Sequence, residues 1–186
     1  PGAVGQDALG GARMRNHVLA GMERHTYCRP DGAGYPMRSI RTRDYLYIRN
    51  IAPDRWPTGG PDFVSSNKTY HGDIDAAPIK DELPRHPREW AWATAKRPGE
   101  ELYHLASDPE QLRNVAGESS HQRARQQLAT TLEREMRETG DPRAAGRDPW
   151  QAFPYRQTVG FGASFNSALS AEAREAARQG TAHKPE

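Results

Sequence analysis

Between Ile51 and Pro98 the sequence loses every periodic signal. Prolines and glycines (Trp56-Pro57, Gly59-Gly60-Pro61, Pro78, Pro84, Pro87) alternate there with isolated aromatics, Trp90 and Trp92 among them. A stretch of that length without periodicity is uncommon inside an autonomous domain and goes with function, docking or disorder. The material for a core is thin: ten Leu, five Ile, five Val and four Phe make 24 of 186 residues. That is about 13%, against the roughly 20% below which disorder becomes a serious alternative. Yet a net charge of +2 supplies little self-repulsion, and four Trp and seven Tyr are large burial payloads that disordered chains seldom carry. The expectation is a loop-rich segment that buries part of its apolar surface against something outside these residues.

Several function classes are set aside on the same grounds. No run approaches the roughly 20 apolar residues of a membrane span, and the first residues lack the basic start and apolar run of a signal peptide, so no membrane partner is expected. Basic and acidic residues, 26 and 24, are interspersed, and without a basic run bearing interleaved aromatics no nucleic-acid partner is expected. The single cysteine, Cys28, excludes an internal disulfide and a multi-cysteine zinc site and leaves the redox compartment unread.

The patterned segments predict few elements. Pro1 to Asn16 read as a linker or truncated edge. His17 to Met22 is compatible with a buried strand, and Tyr27 to Pro36 form a loop punctuated by Pro30-Asp31-Gly32 and Gly34. Met37 to Thr42 and Tyr45 to Asn50 are two β-rich runs with Arg43-Asp44 between them, which predicts a hairpin without the Asn-Gly or Asp-Gly signature. Tyr45, Tyr47 and Arg49 would share one face, Leu46 and Ile48 the other. Glu100 to Leu105 reads as a further strand, and Ser107-Asp-Pro-Glu110 as a helix start. The longest element runs from about Glu118 to Thr139, with Ala124, Leu128, Leu132 and Met136 in one stripe and Gly140 ending it. After Trp150 a loop, a short helix over Ser170 to Gln179 and a polar tail follow, over 156–186.

Few residue groups have the makings of a site. His71-Gly-Asp73-Ile-Asp75 puts three potential ligands on one face of an extended segment, as would a polar loop whose Asp side chains cap turns. Cys28 beside Arg29 would have a lowered pKa if exposed, but the sequence places no base near it. Glu23-Arg24-His25 sits at a predicted strand end, where sites are often built, and a solvated charge cluster would look the same. No Gly-rich phosphate loop, serine elbow or His-Glu-x-x-His pattern is present.

Longer segments carry a resemblance. The run Glu23-Arg-His-Thr-Tyr-Cys-Arg-Pro-Asp-Gly-Ala-Gly-Tyr-Pro-Met-Arg38, continued by Ser39 to Asn50, resembles the C-terminal region of sulfatases, the heparan N-sulfatase (N-sulfoglucosamine sulfohydrolase, sulfamidase) type above all. Gly72-Asp-Ile-Asp-Ala-Ala-Pro-Ile-Lys80 fits that group. Arg97 to Ala116, with Glu-Leu-Tyr-His-Leu-Ala-Ser-Asp-Pro-Glu-Gln-Leu-Arg-Asn-Val at its centre, is similar to the sulfatase pattern E-L-Y-D-L-x-x-D-P-x-E-x-x-N-L. The match extends over about Asn16 to Tyr155.

The resemblance implies an α+β subdomain: a small antiparallel β-sheet with a long C-terminal helix packed on it and extended loops, docked beside an N-terminal catalytic domain. It implies sulfuric ester or sulfamide hydrolysis on a sulfated carbohydrate, N-sulfoglucosamine-like. The formylglycine, made from a Cys-x-Pro-x-Arg cysteine, and the calcium are expected in the missing N-terminal domain and none in this chain, which alone is expected to be inactive. Cys28-Arg-Pro30 departs from that motif, with Gly32 where Arg is required. Substrate contacts are expected from Glu23, Arg24 and His25: Arg24 bidentate on a carboxylate or sulfate, the others on hydroxyl or amino groups. Tyr35 and Arg38 would flank the same pocket or pack the hairpin. The resemblance also suggests an extracytoplasmic enzyme. The alternative is a non-catalytic carbohydrate-binding or interaction module of the same fold.

Overall fold

In the computed structural model, which describes residues 16–24, 29, 33–59 and 85–150, the two β-rich runs pair as the alternation requires. Strand β2 (Met37–Arg41) lies antiparallel to β3 (Tyr45–Asn50), with Ile40 opposite Tyr47. The turn closes through Thr42: its Oγ1 accepts from the Tyr45 N–H at 3.0 Å, while its own N–H donates to the Tyr45 carbonyl at 2.8 Å. A threonine hydroxyl thus does the work usually left to an Asn-Gly pair. Strand β4 (Glu100–His104) adds antiparallel to β3, placing Leu102 opposite Tyr47, and β1 (Val18–Met22) lies on the far edge beside β2. The order is β1-β2-β3-β4.

The described residues fall into two compact units. One comprises those of 16–21, 37–51 and 99–147; the other comprises 22–24, 29, 33–36, 52–59, 85–98 and 148–150. The first holds the sheet and the helix packed on it, the small antiparallel sheet and long helix of the expected α+β class. Ile40, Tyr47 and Leu102 make a row across three strands, each at most 1% exposed. Against that row lies helix α2 (Gln122–Glu138), with Leu128, Leu132 and Met136 as its buried stripe and Val115 completing the cluster. The four-residue spacing puts these side chains on one helix face. Ala124, the fourth residue of the expected stripe, is only half-buried.

Polar contacts fix how the helix sits. The Tyr47 hydroxyl donates to Glu100, whose carboxylate also takes Arg125 of α2 at 2.8 Å. Burial, then the Glu100 carboxylate, push the Tyr47 phenol well above its usual range, so it remains a donor. At the far end Gly140, at φ +72°, ends α2; its N–H reaches the Arg137 carbonyl and the Asp141 N–H reaches Met136. Those two bonds satisfy carbonyls the last turn would otherwise leave open. The Asp141 carboxylate caps the next short turn, Pro142–Ala145, by accepting from the Arg143 N–H. It also holds the Arg38 guanidinium of β2 through Nε at 2.5 Å and Nη2 at 3.1 Å.

Three expectations are corrected. Strand β1 is not a buried strand: four of its five residues are exposed, and only Leu19 packs against the core. The Ser107-Asp-Pro-Glu110 segment starts no helix. The Asp108 carboxylate accepts from the Leu112 and Arg113 N–H groups and rounds a loop in which Gln111 takes φ +59°; those N–H groups hold the Asp108 carboxyl below its usual range. And the aperiodic interval contains a helix, α1 (Pro87–Thr94), in the second unit. Pro87 is pre-set for its first turn, and Arg88 lies over Trp92, four residues on, at 4.4 Å. The expected linker before Asn16, the helix over Ser170 to Gln179 and the polar tail 156–186 lie outside the described residues.

Burial opposes ionisation of Asp141, but the hydrogen bonds from Arg38 and the Arg143 N–H outweigh it and hold the carboxyl below its usual range. A carboxyl depressed in the folded state stabilises the fold above its unfolded value, about 3.9, and that stability is lost as pH falls through the folded value. Asp141→Asn is expected to lower stability at pH 7 by about 1.5–3 kcal/mol, the range for a hydrogen bond to a charged group, and to flatten the acid limb. Urea midpoints from pH 2 to 7 measure both, and an unchanged acid limb would contradict the role given to Asp141.

Candidate functional site

The segment that leaves β1 carries the first two expected substrate-binding residues, Glu23 and Arg24, and the chain returns beside it at Ala33 to Pro36. The Tyr35 N–H donates to the Glu23 carbonyl at 2.8 Å. That approach needs Gly34: a Cβ there would stand 2.6 Å from the Glu23 carbonyl oxygen and 3.3 Å from Arg24 Cγ. Backbone cannot yield as a flexible side-chain end can, so the glycine is required by close packing.

Arg24 donates from Nη2 to the Trp150 carbonyl at 2.7 Å, and its guanidinium carbon lies 5.4 Å from the Trp150 ring centre. Trp150 is 41% exposed. A guanidinium over a part-exposed indole is oriented by the ring quadrupole; its planar group is of the kind suited to carboxylate or sulfate, with Nη2 engaged by the Trp150 carbonyl and Nε buried. Tyr35 is 2% exposed, with the Arg29 guanidinium 5.4 Å from its ring centre, so its side chain belongs to the packing of this unit. His25 lies outside the described residues, as do Cys28 and the His71, Asp73 and Asp75 set.

Arg38 is in the other unit, where its guanidinium grips Asp141 and donates to the Met37 carbonyl. Its stem crosses Gly21, where a Cβ would meet Arg38 Cδ at 2.9 Å. The structure thus groups Glu23, Arg24 and Tyr35 in one unit and commits Arg38 to holding β2 against the end of α2.

Arg29 is a residue that sequence reasoning passed over. It is 5% exposed and donates to the carbonyls of Trp56 (2.6 Å), Pro57 and Ala33. Arg55 adds a bond to the Gly34 carbonyl at 2.8 Å. Two arginines thus hold the loop that carries Gly34 by satisfying its backbone acceptors, work for which a multi-donor side chain is suited. The only sequence signal was the turn-forming Pro30-Asp31-Gly32 beside Arg29.

Elsewhere in the sheet unit a groove of about 420 Å³ runs between the β2–β3 turn (Thr42 to Tyr45) and α2 at Ala124, Gln127 and Leu128. The Thr42 hydroxyl on its wall is spent on closing the turn. Among the described residues no group of three or more His, Cys, Asp or Glu is placed to hold a metal ion, and no helix is long and apolar enough to cross a membrane.

No protein-family model matches the chain, and no curated protein sequence matches it significantly.

The close approach at Gly34 can be tested directly. Gly34→Ala is expected to force the Ala33 to Pro36 segment away from Glu23, at a cost of about 1–3 kcal/mol typical of an overpacked site, and to speed hydrogen exchange of the Tyr35 amide. An amide as protected as in the parent chain would show that the approach does not depend on the missing Cβ.

Proposed function

We propose that this chain is the C-terminal region of a sulfatase-family hydrolase, nearest the heparan N-sulfatase type. In this reading it supplies outer substrate-pocket residues to a catalytic domain that lies outside these 186 residues and carries the formylglycine and the calcium. One observation carries the reading. Most residues that match the sulfatase-like pattern, Glu101, Leu102, Tyr103, Asp108 and Asn114, have structural work to do, as has Glu100 just before them.

Glu100 joins Tyr47 to Arg125, Leu102 is fully buried in the core row, and Tyr103 donates to the buried Glu101 carboxylate. Asp108 rounds the loop, and Asn114 Oδ1 takes the Leu102 N–H at 2.9 Å and the Ala116 N–H at 3.0 Å. Such a pattern specifies a strand, a loop and a return, so its occurrence in this order supports a shared architecture rather than a chance run of common residues. It does not by itself specify a reaction, because function lives in sites grafted on folds.

In this reading Arg24, oriented on Trp150, takes an anionic group of a sulfated sugar bidentately, with Glu23 and His25 accepting or donating to hydroxyl or amino groups. Sulfate transfer itself is left to the catalytic domain. The purified 186-residue chain, supplied with calcium and either an aryl sulfate or N-sulfoglucosamine, is expected to release no sulfate; measurable release would overturn the reading. A titration with sulfated heparan oligosaccharide separates the alternative: no tight binding is expected, and tight binding abolished by Arg24→Ala would favour an autonomous carbohydrate-binding module instead.

A further inference from the structure

Two imidazoles meet at the end of β4. His104 is the last residue of β4, and His121 closes the short turn Ser119–His121 that leads into α2. Their ring centres are 5.6 Å apart, with planes inclined by 38°. Tyr45 of β3 packs against both, at 5.0 Å from His104 and 5.8 Å from His121. Both histidines are half-buried, so the pair is held by its surroundings and still reached by solvent.

The hydrogen bonds say which nitrogens are engaged. His104 Nδ1 lies 2.7 Å from Ser107 Oγ, and the Ser107 hydroxyl is directed at the His104 carbonyl at 3.4 Å. A serine has one hydroxyl proton; with that proton on the carbonyl, Oγ accepts from Nδ1–H, and the lone pair of His104 sits on Nε2. His121 Nδ1 lies 3.0 Å from the Tyr45 hydroxyl oxygen, which is able to accept from Nδ1–H in the same way. Each ring therefore has its Nδ1 held by a hydroxyl, the arrangement by which a metal-binding histidine is oriented and its Nε2 made more basic.

We propose that His104 and His121 form a two-histidine site for a late first-row transition-metal dication, Cu²⁺ or Zn²⁺, bound through both Nε2 atoms. With metal–nitrogen distances of about 2.0–2.1 Å, two imidazoles sharing one ion at a tetrahedral or wider angle have ring centres roughly 5–6 Å apart, and the observed spacing is within that range. Imidazole pairs select such ions over calcium or magnesium, and Cu²⁺ binds above Zn²⁺ in the usual affinity order. No third histidine, cysteine or carboxylate joins the pair among the described residues, so water fills the other positions. An ion held there ties the end of β4 to the start of α2 across Tyr45.

The test uses the full chain, whose seven histidines are each identified by a single His→Gln variant in a proton–nitrogen spectrum of the imidazoles. On adding less than one equivalent of Cu²⁺, the His104 and His121 signals are expected to broaden before the other five. His104→Gln and His121→Gln are each expected to lower Cu²⁺ and Zn²⁺ affinity at least about tenfold, and Tyr45→Phe, which removes the hydroxyl at His121, to weaken it within the ten- to hundredfold range of such supporting groups. Far-UV circular dichroism without metal checks that each variant folds; for one that does not, the broadening order in the parent chain decides. Earlier broadening of any other histidine, or undiminished affinity in both folded His→Gln variants, would overturn the proposal.

Discussion

The helix and the sheet are held in one arrangement by Asp141. Its backbone N–H helps close the last turn of α2, its carboxylate starts the following turn, and the same carboxylate grips Arg38 near the start of β2. A carboxylate taken partly out of water is costly unless its oxygens are satisfied, and here a guanidinium and a backbone N–H do so. The apolar stripe of Leu128, Leu132 and Met136 would permit a helix to slide or rotate on the sheet, because hydrophobic contact is non-directional. The Arg38–Asp141 fork at one end and Glu100–Arg125 at the other supply the direction. A core as poor in aliphatic residues as this one depends on such polar fixation more than a larger core would.

Seen this way, the segments that carry the sulfatase resemblance divide into two kinds. Glu100 to Val115 is architecture, its residues occupied by the core row, by the Asp108 loop and by the Asn114 bonds to backbone. Glu23 and Arg24 are different in kind: they leave the end of a strand, are positioned by the close pass at Gly34, and present an arginine on the face of a part-exposed tryptophan. On the proposed reading the first kind makes the platform and the second meets the substrate. Arg38, adjacent in sequence to the second kind, belongs with the first.

What was legible in the sequence was whatever depends on local periodicity. The hairpin, the strand at Glu100 and the α2 stripe follow from alternation of two and from spacing of four, and lie where those patterns put them. What was illegible depends on partners far along the chain. Arg38 and Asp141 are 103 residues apart, and nothing in either neighbourhood announces the other. Arg29 looked like a companion of Cys28, yet it is a buried donor to carbonyls of a loop 27 residues on. The Asp108 loop was misread because a side chain that accepts from N–H groups four and five residues ahead resembles a helix cap until the backbone turns away at Gln111. Helix α1 was hidden by its neighbours: a Pro-started helix of eight residues, about two turns, flanked by prolines, is too short to show a period.

The most direct measurement of whether this chain is the C-terminal part of a sulfatase is the sequence of the coding DNA immediately upstream of Pro1. The account expects an open frame continuous with this one and, within it, a Cys-x-Pro-x-Arg motif of the kind converted to formylglycine. An in-frame stop codon close to Pro1, with no such motif joined to this chain, would contradict it.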